Sequence, residues 1–339
     1  MFSNQRSEVV LEPSSCRSVK AIEADRVDNR WIVTGKNDAL YVLRYHPEVN
    51  ELGIDGVLLH ESSSNVIQSM ATNPQDATQL LTIARCANTA TLWQATDQVI
   101  QNDHPYQYDD DDGVGGDDDV NGGTSKRISS NTPTESMNVL TTLPSLTGEA
   151  LVDVTWRPVD EFGTSTSPGD VLTLDASGNV TQWNVKHETA SSVRTVDYEG
   201  VAYKESLVPR VKWDPHNGDT VAVTRGSAVH LLDWRQDTTS IPSGIIESLA
   251  TRTTVLDVDF NPNKPYTMAT AGQDGLVKFW DLRATTAEPL MVCSRGENGG
   301  HKHWVWNVQY NPFHDQLVLT SGTDSYVNLL RLSSISSAP

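Results

Sequence analysis

Residues 255–280 read VLDVDF-NPNKP-YTMATA-GQDG-LVKFW, and this stretch decides the fold. In its first six residues Leu256, Val258 and Phe260 alternate with other side chains, the two-residue period of a strand with one buried face. NPNKP turns the chain, and residues 266–271 form a second strand. Gly272-Gln273-Asp274-Gly275 is a tight turn, where Asp-Gly supplies the positive φ that a hairpin needs. Residues 276–280 are a third strand, closing on Trp280.

The same grammar recurs in both directions. Strand-like stretches end in a residue followed by proline at Asn73-Pro74, Arg157-Pro158, Asp214-Pro215, Asn261-Pro262 and Asn311-Pro312. The third strands close on Leu43, Trp93, Trp183, Leu232, Trp280 and Leu330, at spacings of 50, 90, 49, 48 and 50, the long one containing an acidic insert. A period near 50 residues with three or four short strands in each predicts an all-β WD-repeat β-propeller with six recognisable blade units. Residues 57–59, 140–143 and 290–292 are candidate fourth strands. Residues 1–15 read as an N-terminal tail and 16–339 as the propeller. Within it, residues 95–138 are rich in Asp, Gly, Ser and Thr. With so few large aliphatics they cannot bury enough apolar surface to offset their ordering entropy, so they read as a disordered acidic insert.

Composition narrows the function. Net charge is −19, and Asp103, Asp109 to Asp112 and Asp117 to Asp119 supply eight of those charges; −19 less those eight leaves −11. An acidic body argues against nucleic acid and against anionic lipid, both of which would repel it. Cys16, Cys86 and Cys293 are scattered and odd in number, which suits a reducing cytosol better than a disulfide framework. The N-terminus lacks the apolar run of a signal peptide, and no stretch approaches a membrane span. The chain reads as cytosolic, reaching membranes only through a partner.

The polar residues at fixed offsets read as structural. Thr270, Asp274 and Trp280 in one unit, and Thr320, Asp324 and the Gly-His residue His301 in the next, match the hydrogen-bond chain of a WD repeat. His301 and His303 form an H-x-H pair, yet no carboxylate or thiol cluster stands at ligand spacing, so no metal is expected. No phosphate-binding loop, nucleophile elbow or H-E-x-x-H is present, so neither catalysis, cofactor nor small-molecule substrate is expected. Loops before first strands and turns before third strands gather on one rim of a propeller. Lys302, His303, Trp304, Gln273, Thr323 and Arg225 fall there as candidate protein-binding residues, with Trp304 as aromatic anchor and Trp306 packed in a seam.

Two resemblances sharpen this. The stretch DVDFNPNKPYTMATAGQDGLVKFWDLR with HKHWVWNVQYNPFHDQLVLTSGTDSYVNLLRLSSISS resembles the WD-repeat proteins that interact with the EARP and GARP tethering complexes. The likeness extends upstream to VLLHESSSNVIQSMATNP. It implies a non-enzymatic scaffold that partners tether subunits at the trans-Golgi network and endosomes. The processes implied are endosomal recycling, endosome-to-Golgi transport and dense-core vesicle sorting. Members of that family continue past the Ser-Ile-Ser-Ser segment into a final blade. Six units stand where seven are expected, so the ring is either open, or closed by residues 9–11 as a six-unit ring, or the sequence is truncated. The alternative rests on Trp280-Asp281-Leu282-Arg283 and the related Asp233-Trp234-Arg235, which resemble the W-D-x-R pattern of cullin-4 ubiquitin-ligase substrate receptors.

Overall fold

A computed structural model describes residues 5–10, 19–21, 30–34, 39–47, 51–60, 66–96, 132–158, 169–186, 188–197, 209–234, 245–247, 253–284, 288–294 and 300–332. Its strands form six sheets. β1 (Gln5–Val10) is first in sequence but lies in the last sheet. Blade one follows with β2 (Val19–Ala21), β3 (Arg30–Thr34), β4 (Ala39–His46) and β5 (Glu51–Leu59). Blade two starts with β6 (Ile67–Thr72), β7 (Gln79–Ala84) and β8 (Thr89–Gln94). The chain then returns as β9 (Thr134–Ser136), which joins blade one beside β5, and β10 (Asn138–Pro144), which completes blade two. Blade three is β11 (Leu151–Trp156), β12 (Asp170–Asp175), β13 (Asn179–Lys186) and β14 (Thr189–Asp197). Blade four is β15 (Val211–Trp213), β16 (Thr220–Arg225), β17 (Ala228–Asp233) and β18 (Ile245–Glu247). Blade five is β19 (Val255–Phe260), β20 (Thr267–Gly272), β21 (Val277–Asp281) and β22 (Met291–Cys293). Blade six is β23 (Val305–Tyr310), β24 (Leu317–Gly322) and β25 (Tyr326–Arg331), with β1 antiparallel on the outside of β25.

The proline signature has a local cause. The side chain before the proline accepts from the turn backbone, an Asx turn that competes with strand continuation. Asn73 Oδ1 takes the Gln75 N–H at 2.9 Å and Asp214 Oδ1 that of His216 at 2.9 Å. Asn261 Oδ1 takes the Asn263 and Lys264 N–H groups at 2.9 and 2.8 Å, and Asn311 Oδ1 those of Phe313 and His314 at 2.9 and 2.8 Å. Arg157 cannot accept. Its guanidinium instead reaches Asp170 Oδ2 at 3.4 Å and Asp219 Oδ1 at 3.7 Å, and lies 5.1 Å over the Trp213 ring, clamping blade three to blade four.

The core is six apolar clusters, one in each seam between neighbouring blades. The seam that joins the ends of the ring packs Trp31, Val33 and Leu43 of blade one against Leu317, Leu319, Val327 and Leu329 of blade six. The ring is therefore closed with six blades, so the open edge is not found. Residues 5–10, within the stretch read as a tail and overlapping the expected 9–11, supply the outer strand β1 of the sixth blade. The insert read over 95–138 lies for its greater part, residues 97–131, outside the described residues. Residues 132–138 are ordered into β9 and Met137, which is buried in the seam between blades one and two.

Candidate functional site

Four of the rim candidates, Lys302, His303, Trp304 and Thr323, lie over a buried platform in blade six. His301 is 2 % exposed, because it sits directly under the loop that leads into β23. Asp324 can only accept, so His301 Nδ1 donates to Asp324 Oδ1 at 2.9 Å, while Nε2 meets the Thr320 hydroxyl at 2.9 Å. The Lys302 N–H donates to the other oxygen, Asp324 Oδ2, at 2.8 Å. Burial would raise the Asp324 pKa, but the hydrogen bond from His301 and the Lys302 and Tyr326 N–H groups outweigh it and hold the carboxyl below its ordinary value. Gly322 has to be glycine here. A Cβ on it would lie 2.4 Å from His301 Nδ1 and 2.7 Å from Asp324 Oδ1.

Blade five divides the same parts differently. Trp280 Nε1 donates to Thr270 Oγ1 at 2.9 Å, as Trp93 does to Thr82 and Trp183 to Thr173. Four residues before its first strand, where blade six has His301, the blade-five sequence has Thr251. Asp274 pairs instead with Lys278 Nζ at 2.8 Å and accepts the Leu276 N–H at 3.1 Å. The three residues read in blade six thus form one hydrogen-bond chain, whereas those of blade five bond as two pairs, Trp280 with Thr270 and Asp274 with Lys278.

Above the blade-six platform the structure brings four rim candidates together. The exposed His303 places Nδ1 2.6 Å from Thr323 Oγ1 and stacks on Trp304, with centroids 5.3 Å apart and planes at 28°. Trp304, half-buried, meets Trp306 edge-on at 5.8 Å, and its carbonyl takes the Thr323 N–H at 3.0 Å. Trp306 is likewise only half-buried. The exposed Lys302 carries its ammonium 5.4 Å over the Tyr326 ring, a neighbour that sequence reasoning missed. Gln273 belongs to the adjoining turn. A Cβ on Gly275, whose φ is +78°, would lie 3.0 Å from the His303 carbonyl oxygen and 3.1 Å from that of His301, so the blade-five turn abuts this loop. Arg225 ends β16 in blade four, and its side chain lies outside the described residues.

A second polar system was missed in the sequence. Five residues before the prolines Pro74, Pro158, Pro215, Pro262 and Pro312 stand Ser69, Asp153, Arg210, Asp257 and Asn307, and each of the first four touches the next blade. Asp153 accepts from Ser69 Oγ at 2.5 Å, Arg210 Nη1 at 3.2 Å and the Val211 N–H at 2.8 Å. Arg210 Nε donates to the Leu256 carbonyl at 3.2 Å and stands 3.9 Å from Asp257. Asp257 accepts from Asn307 Nδ2 at 3.0 Å and the Val308 N–H at 3.1 Å. Two positions on, Asp259 pairs with Lys212 at 3.0 Å and accepts from Gln309 Nε2 at 2.8 Å and the Tyr310 N–H at 2.7 Å. These carboxylates are buried and occupied by donors from the neighbouring blades, so the belt ties blades together rather than presenting a reactive group. Its signal was a polar residue recurring at one strand position about 50 residues apart.

The W-D-x-R tetrapeptide has a local account. Arg283 donates from Nε and Nη2 to the two oxygens of Asp281 at 2.9 and 2.8 Å, and its guanidinium lies 5.6 Å from the Tyr266 ring centroid. The second pattern ends at Arg235, outside the described residues. Among the described residues no group of three or more His, Cys, Asp or Glu is placed to hold a metal ion, and no helix is long and apolar enough to cross a membrane.

Comparison with known proteins bears out the resemblance read from the sequence. Residues 179–330 match the propeller family described as EIPR1 beta-propeller. Over 311 residues the chain is 28% identical to the EARP and GARP complex-interacting protein 1 of Homo sapiens, covering 89% of this chain and 70% of that one. It is 38% identical over 126 residues to the EARP-interacting protein 1 of Caenorhabditis elegans, 37% of this chain and 32% of that one. It is also 26% identical over 320 residues to the Arabidopsis thaliana WD repeat-containing protein DWA2, 92% of this chain and 75% of that one.

Proposed function

We propose that this chain, a relative of the EARP and GARP complex-interacting proteins, is a non-enzymatic propeller scaffold that docks subunits of such tethering complexes. It would act from the cytosol, recruited to endosomes and the trans-Golgi network. Its processes would be endosomal recycling, endosome-to-Golgi transport and dense-core vesicle sorting. The observation that carries the reading is the blade-six rim, where His303, Trp304 and Trp306 form one aromatic surface with Lys302 beside it. Tryptophan held by neighbours is the kind of anchor that concentrates interface energy. Lys302, with Arg225 from blade four, adds positive charge to a chain of net charge −19, which suits an acidic helix or loop of a tether subunit. The remaining polar groups beneath are engaged with one another, as a docking platform needs and an active site does not.

Affinity purification with mass spectrometry tests this. The intact chain is expected to bring down tether subunits. Substituting Trp304 and Arg225 by alanine together is expected to reduce that recovery at least tenfold with the melting temperature nearly unchanged. Full recovery from the doubly substituted chain would remove the rim from consideration. Recovery of a cullin-4 ligase adaptor in place of tethers would favour the W-D-x-R alternative, in which Arg283 faces a partner.

A further inference from the structure

β9 is the odd strand of this propeller. The other blades have four antiparallel strands, whereas blade one carries a fifth, parallel, supplied by the segment that leads into blade two. The register sets Val57 against Thr134, Leu58 against Glu135 and Leu59 against Ser136. Beyond the strand the ladder continues: the Val57 N–H donates to the Pro133 carbonyl at 2.8 Å and the Met137 N–H to the Leu59 carbonyl at 3.2 Å. The edge of β5 is therefore a row of donors and acceptors that takes up an extended segment.

The side chains show how well this segment fits. Residues 135 and 137 point to one face and Thr134 and Ser136, both exposed, to the other. Met137, 3 % exposed, packs with Ile32, Leu40, Leu58, Trp93 and Ala95. Glu135 stands opposite Leu58, which is 0 % exposed, and its Oε2 is buried with no hydrogen-bond partner. A carboxylate oxygen taken out of water without a donor opposes burial, so Met137 and a three-residue ladder hold the strand against its own acid. Leu59 remains partly bare at the same edge.

From this mismatch we infer that the outer edge of blade one, at residues 57–59, is a strand-acceptor site for a partner protein. The partner supplies an extended segment in parallel register, uncharged where Glu135 lies and with a methionine-sized apolar side chain two residues later, and it displaces β9. β9 is the internal stand-in that reveals the mode: backbone pairing supplies affinity, and the two alternate inward positions supply specificity. This site is separate from the blade-six rim, and either can fail alone.

The probe is a fluorescein-labelled peptide with the sequence of residues 132–139 and valine in place of Glu135, followed by anisotropy against the full chain. Glu135→Pro removes a ladder N–H from β9 and frees the edge, whereas Glu135→Val removes the acid with the unmatched buried oxygen and tightens β9. The peptide is expected to bind the Glu135→Pro chain at least tenfold more tightly than the wild type, and the Glu135→Val chain at least tenfold more weakly. Equal affinity for all three, or no binding to a Glu135→Pro chain that melts cooperatively, would overturn the proposal. Amide exchange provides a second route that does not depend on how Glu135→Pro folds. The Met137 and Val57 amides are expected to exchange at least tenfold more slowly in the Glu135→Val chain than in the wild type, and identical rates would refute the exchangeable strand. A wild-type dimer that the peptide dissociates would assign the edge to a second copy and overturn the partner reading.

Discussion

Asp153→Ala is the most direct test of how the ring is held. The substitution removes a carboxylate that accepts from Ser69 Oγ, Arg210 Nη1 and the Val211 N–H, so it cuts both the seam between blades two and three and that between blades three and four. Arg210 is 4 % exposed and, among the described residues, its guanidinium retains the Leu256 carbonyl and an Asp257 oxygen 3.9 Å away. Removing one partner of a buried ion pair costs about 3–5 kcal/mol, because the other charge stays behind in a poor environment. An unsatisfied buried N–H costs about 1–3 kcal/mol more, partly overlapping with that figure. A loss of about 4 kcal/mol is the working estimate. With an unfolding entropy of roughly 2 cal/mol/K per residue, a chain of this length is expected to melt about 6 °C lower.

The assay is urea and thermal unfolding of the wild type, Asp153→Ala, Arg210→Ala and the double variant, with the urea slope checked for constancy. If the stranded guanidinium carries the cost, the double variant is expected to lose about 2 kcal/mol less than the two single losses combined. Additivity within about 0.5 kcal/mol would refute that account, as would a melting shift under about 1 °C for Asp153→Ala.

Two further outcomes are expected. Burial pushes the His60 imidazole down from 6.5 to about 4, so its contribution to stability is fully present above pH 6.5 and is lost as the pH falls from there toward 4. Between pH 6.5 and 4.5 the urea midpoint of the wild type is expected to fall more steeply than that of His60→Gln, by about one proton's linkage; parallel curves would refute the assignment. Deleting residues 1–10 uncovers the β25 edge, and is expected to lower the melting temperature and cause concentration-dependent association in light scattering. A monodisperse truncated chain with an unchanged melt would show that β1 does not close the ring.

How much was legible follows from where each signal resides. First, second and third strands were readable because most are bounded by local devices: an Asx-proline turn after the first strand in blades two, four, five and six, and a Gly-bearing turn before the third strand in blades three to six. The bulky closing residue gave the register, since Trp93, Trp183 and Trp280 each reach a threonine ten or eleven residues earlier. Outer strands lack such marks. Most of β14 is exposed along SSVRTV, so it has no apolar alternation to detect, and β9 is three residues that gain their place only by pairing with β5. The rim cluster was legible in part because the loop before β23 and the turn after β24 occupy repeat positions. Tyr326 escaped notice because its contact with Lys302 depends on how the two loops cross. The belt was hidden for another reason. Asp257 looks like a solvent-facing residue of an amphipathic strand until the strand 50 residues later is placed against it, and no window of one strand's length contains both.

The belt and the rim bear on each other. A docking surface gains affinity when its anchors are already ordered, since each mobile side chain fixed at an interface costs about 0.5–1.5 kcal/mol. His303 and Trp304 are fixed before any partner arrives: the loop that carries them is pinned from below by His301 and Asp324, and laterally by Thr323 and the blade-five turn. That pinning holds only while blades five and six keep their relative position, which Asp257 and Asp259 secure by bonding the β23 backbone at Val308 and Tyr310. The edge of blade one has the opposite character, because its occupant carries an acid with one buried, unmatched oxygen opposite Leu58. A rigid aromatic anchor on one part of the ring and an exchangeable strand on another would let one propeller hold one partner firmly while admitting a second conditionally.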